Sequence, residues 1–328
     1  MTKQLSTSGL TRRRVIITAG AFGTLSALTG TAVAMKTSLQ PVHWTGAALG
    51  AEASIHLFHE DPEWAKQQLV RCQQEINRLE NLFSLYQPNS AICRLNAQGY
   101  LDNPDIEFLK LLSLATSFSL QTKGLFDVTM QPLWMLYAAH FSSEKADPSG
   151  PNLSVIKAVL ENIGSSQIEM TMNRIEFARS GMAITLNGVA QGYITDRVAA
   201  LLKSAGFANV LVSLGENYAL GATADGKPWR IGIVSPKDGK TIAATVDLTN
   251  KALATSGGYG SPFSSRSDAN HLLNPLTGEW AKFERSVSVI SSSATHADMA
   301  STALSLMTVD EGLKFTSSQP LIEDVIYG

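Results

Sequence analysis

The sequence predicts an α+β fold: one domain with a mixed or antiparallel sheet and packed helices, following an N-terminal export signal. Three observations carry that expectation. The first half reads as amphipathic helices, the second half as short β-branched strands, and no repeat or low-complexity linker divides them. Of 328 residues, 44% are apolar and 16% charged, enough apolar material for a sizeable core without disulfides or structural metal. The formal charge of −2 supplies no basic field, so no nucleic-acid partner is expected.

Residues 1–34 read as a twin-arginine signal peptide, leaving a domain over 35–328. Arg12, Arg13 and Arg14 precede an uncharged stretch from Val15 to Ala34 that ends in the small-x-small site Ala32-Val33-Ala34. The expected location is the periplasm. An uncleaved signal would instead anchor the chain in the membrane, since the stretch is about long enough to span one. The two cysteines, Cys72 and Cys93, either form one disulfide or remain thiols, Cys72 within a helical pattern. No C-x-x-C or Cys/His cluster suggests zinc.

Trp64, Leu69, Ile76, Leu79 and Leu82 recur at mostly three- and four-residue spacings, which predicts a helix over Asp61–Leu82. Pro88 and Asn89 break it. A second helix is expected from Asp105 through Thr122, then a loop over Gly124–Asp127, a segment from Met130 to Phe141, and a surface insertion from Ser142 to Asn152. Strands are expected at Asn209–Leu214, Trp229–Val234, Thr241–Leu248 and Ser286–Ser291, with a hairpin at Asp225-Gly226 leading into the second. Thr255–Tyr259 and Asn274–Gly278 read as loops by composition, and Ala294–Met307 as a closing helix.

One turn invites chemistry. The apolar run ending at Asn187-Gly188, the second glycine Gly192 and the helical spacing of Ile194, Val198, Leu201 and Leu202 form a strand–turn–helix, with Gly206 as the stop. Such a turn can seat a phosphate. In the closing helix Asp298 and Thr302 are four apart and share one face among alanines, so they can offer two oxygens to a hard cation such as Mg²⁺. Alternatively, Asp298 helps the helix start and Thr302 bonds a backbone carbonyl. Nucleotide-fold fingerprints are absent: there is no Walker lysine and no G-x-G-x-x-G.

Five segments taken together resemble the FAD:protein FMN transferases, the ApbE family. They are Ser84-Leu85-Tyr86-Gln87-Pro88-Asn89-Ser90, Gly124-Leu125-Phe126-Asp127-Val128-Thr129, Asn187-Gly188-Val189-Ala190-Gln191-Gly192-Tyr193, the pair Thr255-Ser256-Gly257-Gly258-Tyr259 with His271–Gly278, and Ala297-Asp298-Met299-Ala300-Ser301-Thr302. The resemblance implies a catalytic domain that takes FAD as substrate and transfers FMN to a threonine hydroxyl of a target protein, releasing AMP. It implies Mg²⁺ held by Asp298, Thr302 and the carbonyl of Gly188, which would neutralise charge on the diphosphate. Tyr86, Leu125, Phe126 and Asp127 would line the FAD pocket, with His271 a further contact and Asp298 the candidate base.

Two positions depart from the family's common Asp-x-Gly-x-x-x-Lys-Gly turn: Thr185 replaces the acid and Gln191 the lysine. Both still fall on the FAD side, but Gln191 gives a neutral donor where the family has a cation. This form of the turn resembles an exported branch associated with nitrous oxide respiration, whose acceptors are flavin-carrying membrane redox proteins. Two other readings share the residues: a pyrophosphatase splitting FAD into FMN and AMP, and a non-enzymatic periplasmic flavin-binding protein.

Overall fold

Seven antiparallel strands carry the molecule, in the order β1-β2-β6-β7-β10-β11-β12, and the helices that hold the candidate site pack on one of their faces. The computed structural model describes residues 38–328; the expected signal peptide lies outside the described residues. The strands are β1 (Gln40–Ala48), β2 (Ala51–His59), β6 (Val210–Ser213), β7 (Asn217–Leu220), β10 (Lys251–Gly257), β11 (Ser286–Ser291) and β12 (Ile322–Tyr327). A three-stranded sheet of β3 (Tyr100–Asp102), β4 (Ile168–Met170) and β5 (Arg174–Phe177) and a hairpin of β8 (Trp229–Val234) and β9 (Ile242–Leu248) complete the β structure. The expected α+β class holds, with every strand pair antiparallel.

The middle of the large sheet is buried on both faces. In β6, Val210 and Val212 join the main core under the helices, while Leu211 points the other way. That opposite face is covered by the β8–β9 hairpin through Trp229, Ile231, Ile233 and Leu248. Side chains alternate across a strand with period two, so a strand between two layers buries both of its faces.

Eight α-helices are formed among the described residues: α1 (Pro62–Phe83), α2 (Ala91–Gln98), α3 (Ile106–Gln121), α4 (Gln131–Phe141), α5 (Leu153–Leu160), α6 (Ala190–Ser204), α7 (Ala294–Leu304) and α8 (Val309–Thr316). α1 starts where expected because Asp61 accepts from the backbone N–H of Glu63 and Trp64, both at 3.0 Å. Its inner stripe of Leu69, Cys72, Ile76, Leu79 and Phe83 is buried. Both cysteines are free thiols, and Cys72 is a core residue. Among the described residues no helix is long and apolar enough to cross a membrane.

Three local expectations change. The Asp225-Gly226 turn forms, with Gly226 N–H donating to Thr223 O at 2.9 Å. It is no hairpin, because β7 already has β6 and β10 as neighbours and β8 pairs with β9. Thr255, Ser256 and Gly257 belong to β10, paired with Ser288, Val287 and Ser286; small polar residues are accommodated there because helix α7 lies directly on the strand. The apolar run before Asn187 is extended but joins no sheet beyond a bridge from Ala183 to Met130, and α6 begins at Ala190, so Gly192 lies within the helix.

Candidate active site

Helix α7 is the element around which the site is built. Ser293 caps it, accepting from His296 N–H at 3.3 Å. Asp196, on α6, then takes up the remaining donors at this helix start. Its Oδ1 accepts from Ala294 N–H at 2.8 Å, and its Oδ2 from Thr295 N–H, Thr295 Oγ1 and Ser293 Oγ at 2.9, 2.6 and 2.8 Å. A carboxylate at a helix N-terminus satisfies orphan donors and complements the dipole. Asp298 therefore does not start the helix; Ser293 and Asp196 do.

With its start fixed, α7 is held so tightly against α6 that only glycine fits at 192. A β-carbon there would collide with the Ala294 carbonyl and stand 2.9 Å from Asp298 Cβ. The same closeness lets Gly192 N–H donate to Asp298 Oδ2 at 3.0 Å. Asp298 is 4% exposed.

One helical turn further, a β-carbon added at Gly188 would lie 3.0 Å from Thr302 Oγ1 and 3.3 Å from the Phe126 ring. Phe126 is fixed by an edge-on contact with Phe118, ring centroids 5.4 Å apart. Thr302 Oγ1 also lies 3.4 Å from Ser256 Oγ, which is 2.8 Å from Ser301 Oγ. Three segments far apart in sequence thus converge: Phe126, Gly188 and the Asp298–Thr302 face.

The structure gives the other sequence-predicted residues distinct surroundings. Gln191 is buried with its side-chain amide against Gly215, where a β-carbon would lie 2.5 Å from Gln191 Cδ. Gly215 has a positive φ of 96°, so the turn tolerates the amide only as glycine. Thr185 Oγ1 accepts from Asn187 N–H at 3.2 Å and so shapes the turn. His271 Nδ1 lies 3.3 Å from Ser261 O. Leu125 is half-buried on the main core, and the neighbouring Gly124 meets Leu276 of the Asn274–Gly278 loop. Tyr86 is 66% exposed, its ring bordering the turn at Gly50.

Asp127 is held by four donors. Its Oδ1 accepts from Thr129 N–H and Oγ1 at 2.8 and 2.6 Å, and its Oδ2 from Ser119 Oγ and Ser165 N–H at 3.1 and 2.9 Å. These contacts tie the loop to α3 and to the turn at Ser165 that precedes β4.

The buried Asp298 carboxylate and the Thr302 hydroxyl, with the Gly188 turn against Thr302, bring hard-oxygen donors of the kind that suits Mg²⁺ onto one face. Among the described residues no group of three or more His, Cys, Asp or Glu could hold a metal. The residues present fit magnesium.

A cavity of about 280 Å³ is lined by Glu216, Asn217, Thr255, Gly257, Tyr259 and the hairpin tip at Asp238–Lys240. Another of about 810 Å³ runs past Leu85, Cys93, Met135 and Ala183. The walls of neither contain Gly188, Asp298 or Thr302; the smaller adjoins Ser256, whose Oγ lies 3.4 Å from Thr302 Oγ1.

Sequence reading missed Asp196, Gly215 and Glu216. The Ser293-Ala294-Thr295 start of α7, rich in donors, was the available signal that an anion sits opposite; nothing local marked the other two.

The described fold and site have clear counterparts. The ApbE family model matches residues 49–326. An FAD:protein FMN transferase of Klebsiella pneumoniae is 25% identical over 84% of this chain and 81% of its own length. One from Vibrio cholerae is 27% identical over 84% of each. Among solved structures, the flavin transferase ApbE from Vibrio cholerae superposes with a TM-score of 0.73 at 24% identity, covering 88% of this chain and 93% of that one. An ApbE protein from Thermotoga maritima gives 0.71 at 25% identity, covering 86% and 91%. With the match spanning nearly every described residue, this chain belongs to the ApbE family.

Proposed function

We propose that this protein transfers the FMN half of FAD to a threonine hydroxyl of a target protein, forming a phosphoester bond and releasing AMP. The observation that carries the reading is the convergence of the Gly188 turn onto Thr302 and of Gly192 onto Asp298, in a chain whose relatives are FAD:protein FMN transferases.

The residues divide the work. Asp298, Thr302 and the Gly188 carbonyl would hold Mg²⁺, whose charge, when bound, would stabilise the diphosphate being split. Gly188 keeps the backbone low, so the dinucleotide can approach the turn. Gln191 offers a neutral amide donor beside Gly215, where a lysine would add a charge. Phe126 closes the apolar side and excludes water. Tyr86, with its exposed ring, would stack on an aromatic part of FAD.

The reading extends to the cell. Residues 1–34 support export by the twin-arginine route into the periplasm, and the acceptor is read as a membrane redox protein carrying flavin on threonine.

Incubating the purified protein with FAD, Mg²⁺ and candidate acceptor domains tests the reaction. The expected outcome is an acceptor band that fluoresces in a denaturing gel and gains the mass of FMN, with AMP released in equal amount. Release of AMP and free FMN with no adduct on any acceptor would contradict it and leave a pyrophosphatase.

A further inference from the structure

A hydroxyl serves a cation only through a lone pair, so its proton must point elsewhere. For Thr302 the place it points is set by a short file of hydroxyls between β10 and α7. Thr302 Oγ1 lies 3.4 Å from Ser256 Oγ, and Ser256 Oγ lies 2.8 Å from Ser301 Oγ. Ser301 Oγ in turn lies 3.0 Å from the backbone carbonyl of Asp298. Ser256 and Ser301 are both buried, which shields these protons from bulk water.

Counting protons fixes the direction of the file. Each hydroxyl has one proton, and the carbonyl at the end can only accept. When Ser301 donates to the Asp298 carbonyl, Ser256 donates to Ser301 and Thr302 donates to Ser256. All three contacts are then hydrogen bonds. In the opposite direction Ser301 donates to Ser256 and Ser256 to Thr302, and the contact with the carbonyl is lost. The first direction makes one bond more, in a buried place where unmade bonds are costly. The step from Thr302 to Ser256 is the long one. A cation on Thr302 would polarise its O–H and strengthen that donation.

We infer that Ser256 is a positioning residue of the cation seat: it meets Thr302 with a lone pair, because its own proton is committed to Ser301. It thereby draws the Thr302 proton away and leaves a Thr302 lone pair for the side where the Gly188 turn stands, 3.0 Å from Thr302 Oγ1 to a β-carbon built at Gly188. A reversed file would aim a proton at the cation instead. Ser256 acts through Thr302, and Ser301 acts at one further remove by fixing the direction. The inference rests on the magnesium seat proposed above.

The test titrates Mn²⁺, a hard divalent probe, into the FAD-loaded protein without acceptor and reads the free ion by electron paramagnetic resonance. The half-saturating Mg²⁺ for FMN transfer is measured beside it, and thermal denaturation shows that each variant is folded. The variants are Ser256→Ala, Ser301→Ala, the two together, and Thr302→Val. Ser256→Ala is expected to weaken Mn²⁺ binding about tenfold, the lower end for loss of a residue that supports a metal ligand. Its half-saturating Mg²⁺ should rise by a similar factor, while the rate at saturating Mg²⁺ falls less. Ser301→Ala should weaken binding at least as much, because the freed Ser256 proton turns onto Thr302. In the double variant the Ser301 change should add nothing to Ser256→Ala, a coupling that loosened packing between β10 and α7 would not produce. Mn²⁺ affinity of Ser256→Ala within about threefold of wild type, or losses that multiply in the double variant, overturns the inference and leaves the seat intact. Binding by Thr302→Val as tight as wild type overturns the seat and the inference with it.

Discussion

Gly192 and Asp298, 106 residues apart, are joined by a backbone N–H to carboxylate bond of 3.0 Å that only a glycine at 192 permits. The bond fixes where the carboxylate points, and it does so by bringing two helices into backbone contact. Replacing Gly192 with alanine is therefore expected to push α6 off α7. The predicted cost is about 1–3 kcal/mol, as for other overpacked sites, with loss of transfer activity greater than the loss of stability explains. Urea denaturation beside the FMN-transfer assay checks both.

Asp298→Asn keeps the shape and an oxygen for the Gly192 N–H but removes the charge. We predict a thermal midpoint close to wild type, with Mg²⁺-dependent transfer reduced by at least about a hundredfold. Full magnesium dependence retained by the Asp298→Asn variant would show that the cation sits elsewhere.

Asp196 carries no proposed chemistry, yet it accepts four hydrogen bonds at the start of α7. Asp196→Ala should cost about 2 kcal/mol, the sum of a lost cap and a lost charge–dipole interaction. Asp196→Asn should lose less. Denaturant midpoints measure the difference.

His296 supplies a pH signature. It is buried edge-on to Phe118, ring centroids 5.4 Å apart, and burial holds its imidazole below the usual 6.5. The unfolded chain then binds a proton that the folded chain refuses. Stability is full above pH 6.5 and falls as pH drops from there through the depressed folded value. His56 adds in the same direction, lowered by burial and then by the neighbouring His43. The decline of the thermal midpoint on acidification should be shallower in His296→Gln; an identical decline contradicts this.

Much of the architecture was readable because local chemistry and tertiary packing agreed. α1, α3 and α7 fell where periodicity and capping residues placed them, and β11 fell on Ser286–Ser291. The failures have a common physical source. β10 carries Thr255-Ser256-Gly257, residues that favour loops by themselves, and it is a strand because α7 presses small side chains against it. The Asp225-Gly226 turn was right and its pairing wrong, since strand partners depend on which edges the rest of the chain has already filled.

The site was legible in the same uneven way. Gly188, Asp298 and Thr302 were recognisable as a set, and Gly188 does meet Thr302. Asp127 was singled out with them, and its carboxylate accepts from Ser119, Thr129 and Ser165, contacts visible only once α3 and the turn before β4 are in place. Glu216 and Asp196 passed unnoticed because an isolated acid in a turn or on a helix looks like any solvated one.

The most direct test of the proposed site is a crystal structure with Mg²⁺ and FAD bound. One cation is expected about 2.1 Å from a carboxylate oxygen of Asp298, the hydroxyl of Thr302 and the carbonyl of Gly188, with the diphosphate on its open side. A cation bound away from these three groups, or a diphosphate lying in the larger cavity beside Cys93 and Met135, would contradict it.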